Sequence, residues 1–416
     1  MSAFFFTVAV LGYANAASVA AYMGDGELTA SLEAAFLIFL LVPFLAVGRG
    51  VFQGKEGMKV SAISQMIEQF VRVTGILLVS VAAYTAGDVY LIGRGTAAAV
   101  FMGMLLAGVY LGWQWKQVRL WTIEGKGRGF FYARRILGYS LLIGVSYMLM
   151  LFLQLADAFT FVPLLNESGI RITEAREWKG VYDRAQPLIQ LVLVLASSIA
   201  LSLLPSVIRP EDAERAIPQA VTITVLFSTA AFAGLFILFP EINRLFYLDT
   251  SGTGVLRLQM INVVFISLAV TLSSALQGMG EVRRTAVVIS AGLVVKLVMN
   301  LLLIPEFHTY GAAVSSVLAA LFIVIIQIWI LKRRLHSTLF LWRRGRLFPA
   351  LLGMTAVVGG MQSLYSPEDR LVLLGWVLLM SGIGALLYIL LLRQFRTVAG
   401  AFVPSEFRKW LVKEES

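Results

Sequence analysis

Arg72 and Lys296 lie in the middle of two long apolar stretches, 224 positions apart, each followed by a Leu-Leu pair and each preceded by a Gln-Gly step. A charge at that depth is costly unless it lines a wet cavity or finds a partner, so its recurrence points to a transport pathway rather than to bond-making chemistry. Around Arg72, the residues Gln65, Glu68, Gln69 and Arg72 fall at i, i+3, i+4 and i+7 and share one helix face. Glu68 is one turn before Arg72, within reach of an internal pair. This face is either the polar wall of a translocation cavity or a buried pair that locks the helix to its neighbour. Lys296 has no acidic residue within a turn, only Asn300 at i+4. Its ammonium must meet an acceptor from another helix, snorkel, or face water, and the roles open to it are cavity lining, a structural pair or proton coupling. Asp157 closes one span and Asp183-Arg184 opens the next. A guanidinium binds phosphate through a bidentate fork, which makes Arg184 an anion contact; the alternative is an interfacial arginine paired with Asp183.

The elements that must position these residues are membrane helices. Of 416 residues, 59% are apolar and 14% charged, and the mean hydropathy is +0.83, outside the range of soluble domains. A bilayer core about 30 Å thick needs about 20 helical residues. Twelve runs qualify: 4–23, 32–47, 60–83, 90–113, 137–155, 186–207, 217–239, 258–276, 286–304, 311–331, 348–364 and 371–392. They do not alternate as barrel strands would, so the predicted fold is all-α and polytopic. The net charge of +10 does not indicate nucleic acid, because 24 of the 34 Lys and Arg fall in alternate loops and only 5 in the intervening ones. That split predicts cytoplasmic termini. With no cysteine and two histidines, thiolate chemistry is excluded and no metal site is expected. Gly125-Lys126-Gly127-Arg128-Gly129 has the wrong order for a phosphate-binding loop. No cofactor or enzymatic activity is expected, and coupling to an ion gradient or the membrane potential is left open.

An ungapped alignment of 53–80 with 277–304 gives six identities in 28 positions, including Gln53/Gln277 and Gly54/Gly278, and sets Arg72 opposite Lys296. Four spans precede the second copy and two precede the first, so two helices are expected to be missing from the front of the first half. The expected segments are an incomplete N-terminal lobe (1–113), a basic linker (114–135), a six-helix lobe (136–332), a second basic linker (333–346), two further helices (347–393) and a cytoplasmic tail (394–416).

The motifs Gly50-Val51-Phe52-Gln53-Gly54, Ser64 to Arg72 and Gly180-Val181-Tyr182-Asp183-Arg184-Ala185-Gln186-Pro187-Leu188 resemble the polysaccharide-biosynthesis branch of the MOP exporter superfamily. More narrowly they resemble its SpoVB and YtgP type, related to the MurJ lipid II flippases. The resemblance covers essentially the whole chain. It implies two six-helix lobes plus two C-terminal helices, with this chain starting at the third helix. It also implies a lipid-linked oligosaccharide as substrate, of the undecaprenyl-pyrophosphate type, moved across the bacterial inner membrane by alternating access. In MurJ relatives an Asp-Arg pair, followed by a Leu-Pro-Ser, includes an arginine needed for flipping; Asp183, Arg184, Leu204, Pro205 and Ser206 match it. By that resemblance Arg184 contacts the anion, while Arg72 and Lys296 set the cavity potential. The substrate-binding set is then Arg184, Asp183, Arg72, Lys296, Glu68, Gln65, Gln69 and Asp157. The competing expectations are a cation-coupled multidrug antiporter of the same superfamily and a non-transporting scaffold in cell-wall or spore assembly.

Overall fold

A computed structural model describes residues 2–54, 58–117, 138, 140–207, 210–335, 347–365 and 367–394. Most of both basic linkers, the C-terminal tail, His336 and the Gly125 to Gly129 stretch lie outside them. The chain divides into two compact units, Met1–Gly129 and Phe130–Ser416.

In the first unit, α1 (Ser2–Ala14) and α2 (Ala16–Tyr22) form one expected span bent by 64°. The bend falls at Asn15, whose side-chain amide donates to the Leu11 carbonyl (2.8 Å). Such back-bonding competes with the helical ladder and bends helices. A single 3₁₀ turn, capped by Asp25, leads into α3 (Thr29–Ile38) and α4 (Val42–Gly54). Two long helices follow, α5 (Met58–Ala86) and α6 (Tyr90–Gln117). They pack closely: a Cβ added at Gly103 of α6 would stand 2.7 Å from the Glu68 carbonyl oxygen of α5. The small core of this unit joins Leu45 and Phe52 to Met104, Ala107 and Leu111.

In the second unit a helical stretch at 140–147 leads into α7 (Leu149–Glu167), followed by α8 (Ile172–Asp183), α9 (Gln186–Val207) and α10 (Pro210–Tyr247). Next come α11 (Thr253–Gly278), α12 (Val282–Lys332), α13 (Leu347–Leu364) and α14 (Arg370–Gln394). α11 is the central post, packed against α9, α10 and α12, with Leu256, Met260, Leu272 and Leu276 fully buried. α13 and α14 pack on α10 through Leu238, Ile242, Met354, Val358 and Met380. The 51 residues of α12 are two helices joined at His308, whose φ of 52° and ψ of −128° break the helix just after Pro305. The chain turns back so sharply that a Cβ on Gly311 would stand 2.1 Å from the Leu303 carbonyl oxygen, so glycine is required there.

Nine helices among the described residues are long and apolar enough to cross a membrane, ten if the bent pair counts as one span. α12 covers two of the expected runs and α9 coincides with another. All twelve runs are helical where they are described, apart from turns at 15, 23, 39–41 and 148, and no strand occurs among the described residues.

Two expected boundaries move. The run at 137–155 predicts that Asp157 closes a span, whereas α7 carries it near its middle, 2% exposed. The apolar sequence resumes with Phe159, Phe161 and Val162, and a single carboxylate with a partner does not end a helix. Asp183 ends α8 rather than opening α9, because part of the stretch expected to be loop between the runs 137–155 and 186–207 is itself helical.

Candidate functional site

Lys296 is wholly buried in the first half of α12. Its Nζ sits 2.6 Å from Asp157 Oδ1 and donates to the Ala312 carbonyl (3.0 Å) and to Ser316 Oγ (2.7 Å). The hairpin places those two acceptors: Ala312 and Ser316 lie one turn apart on the returning half of α12. Asn300, one turn beyond Lys296, donates to Asp157 Oδ1 (3.0 Å) and to Thr160 Oγ1 (2.7 Å). The Tyr182 hydroxyl carries a single proton and stands 3.1 Å from Asp157 Oδ2 and 3.2 Å from both the Ala312 carbonyl and Ser316 Oγ. Gln259 of α11 donates to the Tyr182 carbonyl (3.2 Å). One polar knot thus ties α7, α8, α11 and α12 together. Both charges and most of the lone pairs are satisfied, the condition under which a buried pair is tolerated. A cavity of about 20 Å³ adjoins it, lined in part by Asp157, Tyr182, Gln154, Gln186, Gln259 and Asn262. Gln259 Oε1 and Asn262 Oδ1 are buried without a hydrogen-bond partner.

Arg184 follows α8 directly and faces a different set of groups. Its guanidinium holds Asp249 through both carboxylate oxygens (2.6 and 3.1 Å), donates to Asn243 Oδ1 (3.2 Å) and lies 4.5 Å from the Tyr247 ring centre. Asn243 in turn donates to the Ser251 carbonyl (2.9 Å), which fixes the turn that carries Asp249. The hydrogen bond from Arg184 holds the Asp249 carboxyl below its ordinary range. Asp249 is 42% exposed, Arg184 only 15%. Asp183, the sequence neighbour of Arg184, pairs with Lys179 (2.6 Å) instead.

In the first unit the four-residue face of α5 divides. Glu68 turns to Arg49 of α4 (2.6 Å), which also reaches Ser64 Oγ (3.0 Å), so the internal Glu68–Arg72 pair expected from their spacing is not made. Arg49 sits within α4 rather than in a loop, and its fork can bridge Ser64 and Glu68 because they stand one turn apart. Arg72 bonds Gln69, and Gln65 and Gln69 are exposed.

The structure therefore brings Asp157 and Lys296 together, sets Arg184 against Asp249, and leaves Gln65, Gln69 and Arg72 as a separate polar surface. Asn243, Asp249, Tyr182, Ser316 and Arg49 are absent from the sequence-derived set. Gln259 and Asn262, amides inside an apolar run, carried a usable signal; the hydroxyls did not. Among the described residues no cluster of three His, Cys, Asp or Glu could hold a metal ion.

The all-α, polytopic architecture of the described residues has counterparts among solved membrane transporters. Superposed on the lipid II flippase MurJ in an inward closed conformation, 95% of this chain matches 81% of that one, with a TM-score of 0.69 and 12% identity. An inward-facing multidrug resistance MATE family transporter of the MOP superfamily matches 79% of this chain and 78% of its own, with a TM-score of 0.62 and 16% identity. These likenesses establish the fold. The chain belongs to the polysaccharide biosynthesis protein family, whose model matches residues 1–210. It is similar to the membrane protein YabM of Bacillus subtilis, 36% identical over 73% of this chain and 59% of that protein. It is also similar to the lipid II flippase MurJ of the same organism, 24% identical over 68% of this chain. The aligned part spans 56% of that flippase. It is a multi-pass membrane protein.

Proposed function

We propose that this chain is part of a flippase for a lipid-linked oligosaccharide, carrying a polyprenyl-pyrophosphate-linked precursor of peptidoglycan or another surface glycan across the bacterial inner membrane by alternating access, with both termini in the cytoplasm. The observation that carries this reading is the Arg184 site. A guanidinium in bidentate grip is presented to a carboxylate that is itself exposed, so an incoming pyrophosphate can take the place of Asp249 without reorganising the fork. Membership of the polysaccharide biosynthesis family supports the same substrate class.

In the smaller unit Arg72, Gln65 and Gln69 form a second polar surface beside the Glu68–Arg49 pair, and in the larger unit Asp183 holds Lys179. Lys296 and Asp157 neutralise each other and serve by holding the larger unit in one arrangement; a change in their pairing is the natural point of coupling to an ion gradient or the membrane potential. That mutual neutralisation also disfavours the multidrug antiporter, which needs free acidic groups for cationic drugs.

Complementation of a flippase-deficient strain by the full-length form tests the reading. Arg184→Ala is expected to abolish growth at near-normal membrane levels, and Arg184→Lys to rescue poorly because a point charge replaces the fork. Full activity of Arg184→Ala would overturn it.

A further inference from the structure

At one end of the α12 hairpin, the start of its first half and the end of its second half enclose a cleft of about 540 Å³ lined by Arg283, Arg284, Val287, Trp329 and Arg333, among others. Arg284 bonds Glu281 (3.2 Å), and Arg334 bonds the same carboxylate. The guanidinium of Arg333 lies over the Trp329 ring, 3.7 Å from its centre. Neither Arg283 nor Arg333 is ion-paired with any described carboxylate, whereas Glu281 is shared by Arg284 and Arg334. Arg283 and Arg284 also stand in the first turn of α12, where the helix dipole disfavours positive charge. Helix stability does not explain them. Keeping loops on one side of a membrane requires charge near the helix ends, but not its convergence with a tryptophan on one cleft.

Below the cleft the two halves of α12 present an apolar strip. Val294 follows Val287 by seven residues, and Ile325 precedes Trp329 by four, so each pair shares a helix face. All four side chains are more than half exposed. Guanidiniums, then an indole, then aliphatic side chains reproduce the order of a phospholipid from head group to acyl chain.

We propose that this cleft binds an anionic phospholipid, its phosphate held by Arg283 and Arg333 and its chains lying along Val287, Val294 and Ile325. Every group involved belongs to the larger unit, and the inference does not depend on the flippase reading.

Full-length protein in phosphatidylcholine nanodiscs, with phosphatidylglycerol titrated in, tests this by native mass spectrometry of the retained lipid. Wild type is expected to retain phosphatidylglycerol over phosphatidylcholine by about tenfold, and Arg283→Gln/Arg333→Gln to bring the ratio down to about one. Lys59→Gln, in the other unit, should leave it unchanged. Free glycerol phosphate should not raise the melting temperature. Equal retention of the two lipids by wild type would overturn the proposal, and needs no variant to fold. Undiminished preference in the double variant would do the same, as would protection by glycerol phosphate alone, which would mark a free-phosphate site.

Discussion

Arg72 on α5 and Lys296 on α12 occupy the same register of an internal repeat, yet their surroundings are opposite. In the most apolar stretch of α5, 6% of the residues are buried, against 50% in α12. Lys296 is enclosed by an oxygen shell drawn from α7 and from its own returning half, whereas among the described residues Arg72 reaches only Gln69, one turn away. α5 packs chiefly on α6 and, near its start, on α4. In the alignment the Gln53-Gly54 step that ends α4 falls opposite the Gln277-Gly278 step that ends α11. A repeat preserves where a charge sits along a helix. What it meets depends on helices contributed from elsewhere.

The sharpest way to break this contrast is to delete the two cations. Lys296→Met leaves Asp157 buried without its counter-charge and should destabilise the protein by about 3–5 kcal/mol, read as loss of monodisperse protein in detergent and a lower melting temperature. Lys296→Met/Asp157→Leu should recover most of that loss, since replacing both partners removes the stranded charge. Arg72→Met should change stability by less than about 0.5 kcal/mol. Equal damage from the two lysine and arginine variants would mean that the environments are alike after all.

A smaller effect is expected at the glycine that closes the hairpin. Gly311→Ala pushes a methyl against the Leu303 carbonyl and should cost about 1–3 kcal/mol in the same thermal assay. A neutral result would show that the turn can open, and with it the shell around Lys296.

Least costly, and most discriminating for α5, is a pair of double-mutant cycles. Arg49 and Glu68 should couple by about 0.5–3 kcal/mol, and Glu68 with Arg72 by close to nothing. The reverse order would restore the pairing that sequence spacing suggests.

Helix content was legible because apolar runs near twenty residues leave the backbone no other way to satisfy its hydrogen bonds in lipid. Lys296 has nothing acidic within a turn, which leaves an acceptor from another helix, snorkelling or water as its options, and the structure shows the first. The identity of that acceptor was not legible. Asp157 is 139 positions away, and the charge itself made the hydropathy run stop short of it. The partner of Glu68 is hidden for a related reason: spacing shows that Glu68 and Arg72 can meet, but Arg49 competes across a helix contact that no local pattern reveals. Arg184 stands out in the sequence as a guanidinium beside an apolar run, while its partners Asp249 and Asn243, brought in by the turn after α10, do not.

The fold-back of α12 at His308 also bears on how the chain enters the membrane. A lysine at the centre of a lone helix costs about 2.5–3.5 kcal/mol to insert. Lys296 and its acceptors Ala312 and Ser316 are separated by at most 20 residues, so the two halves of α12 can pair as soon as both have left the ribosome. Asp157 has been synthesised long before, and it gains its ammonium only when that hairpin docks on α7. Until then the aspartate, not the lysine, is the unprotected charge, which makes docking of α12 the step that completes assembly of the larger unit.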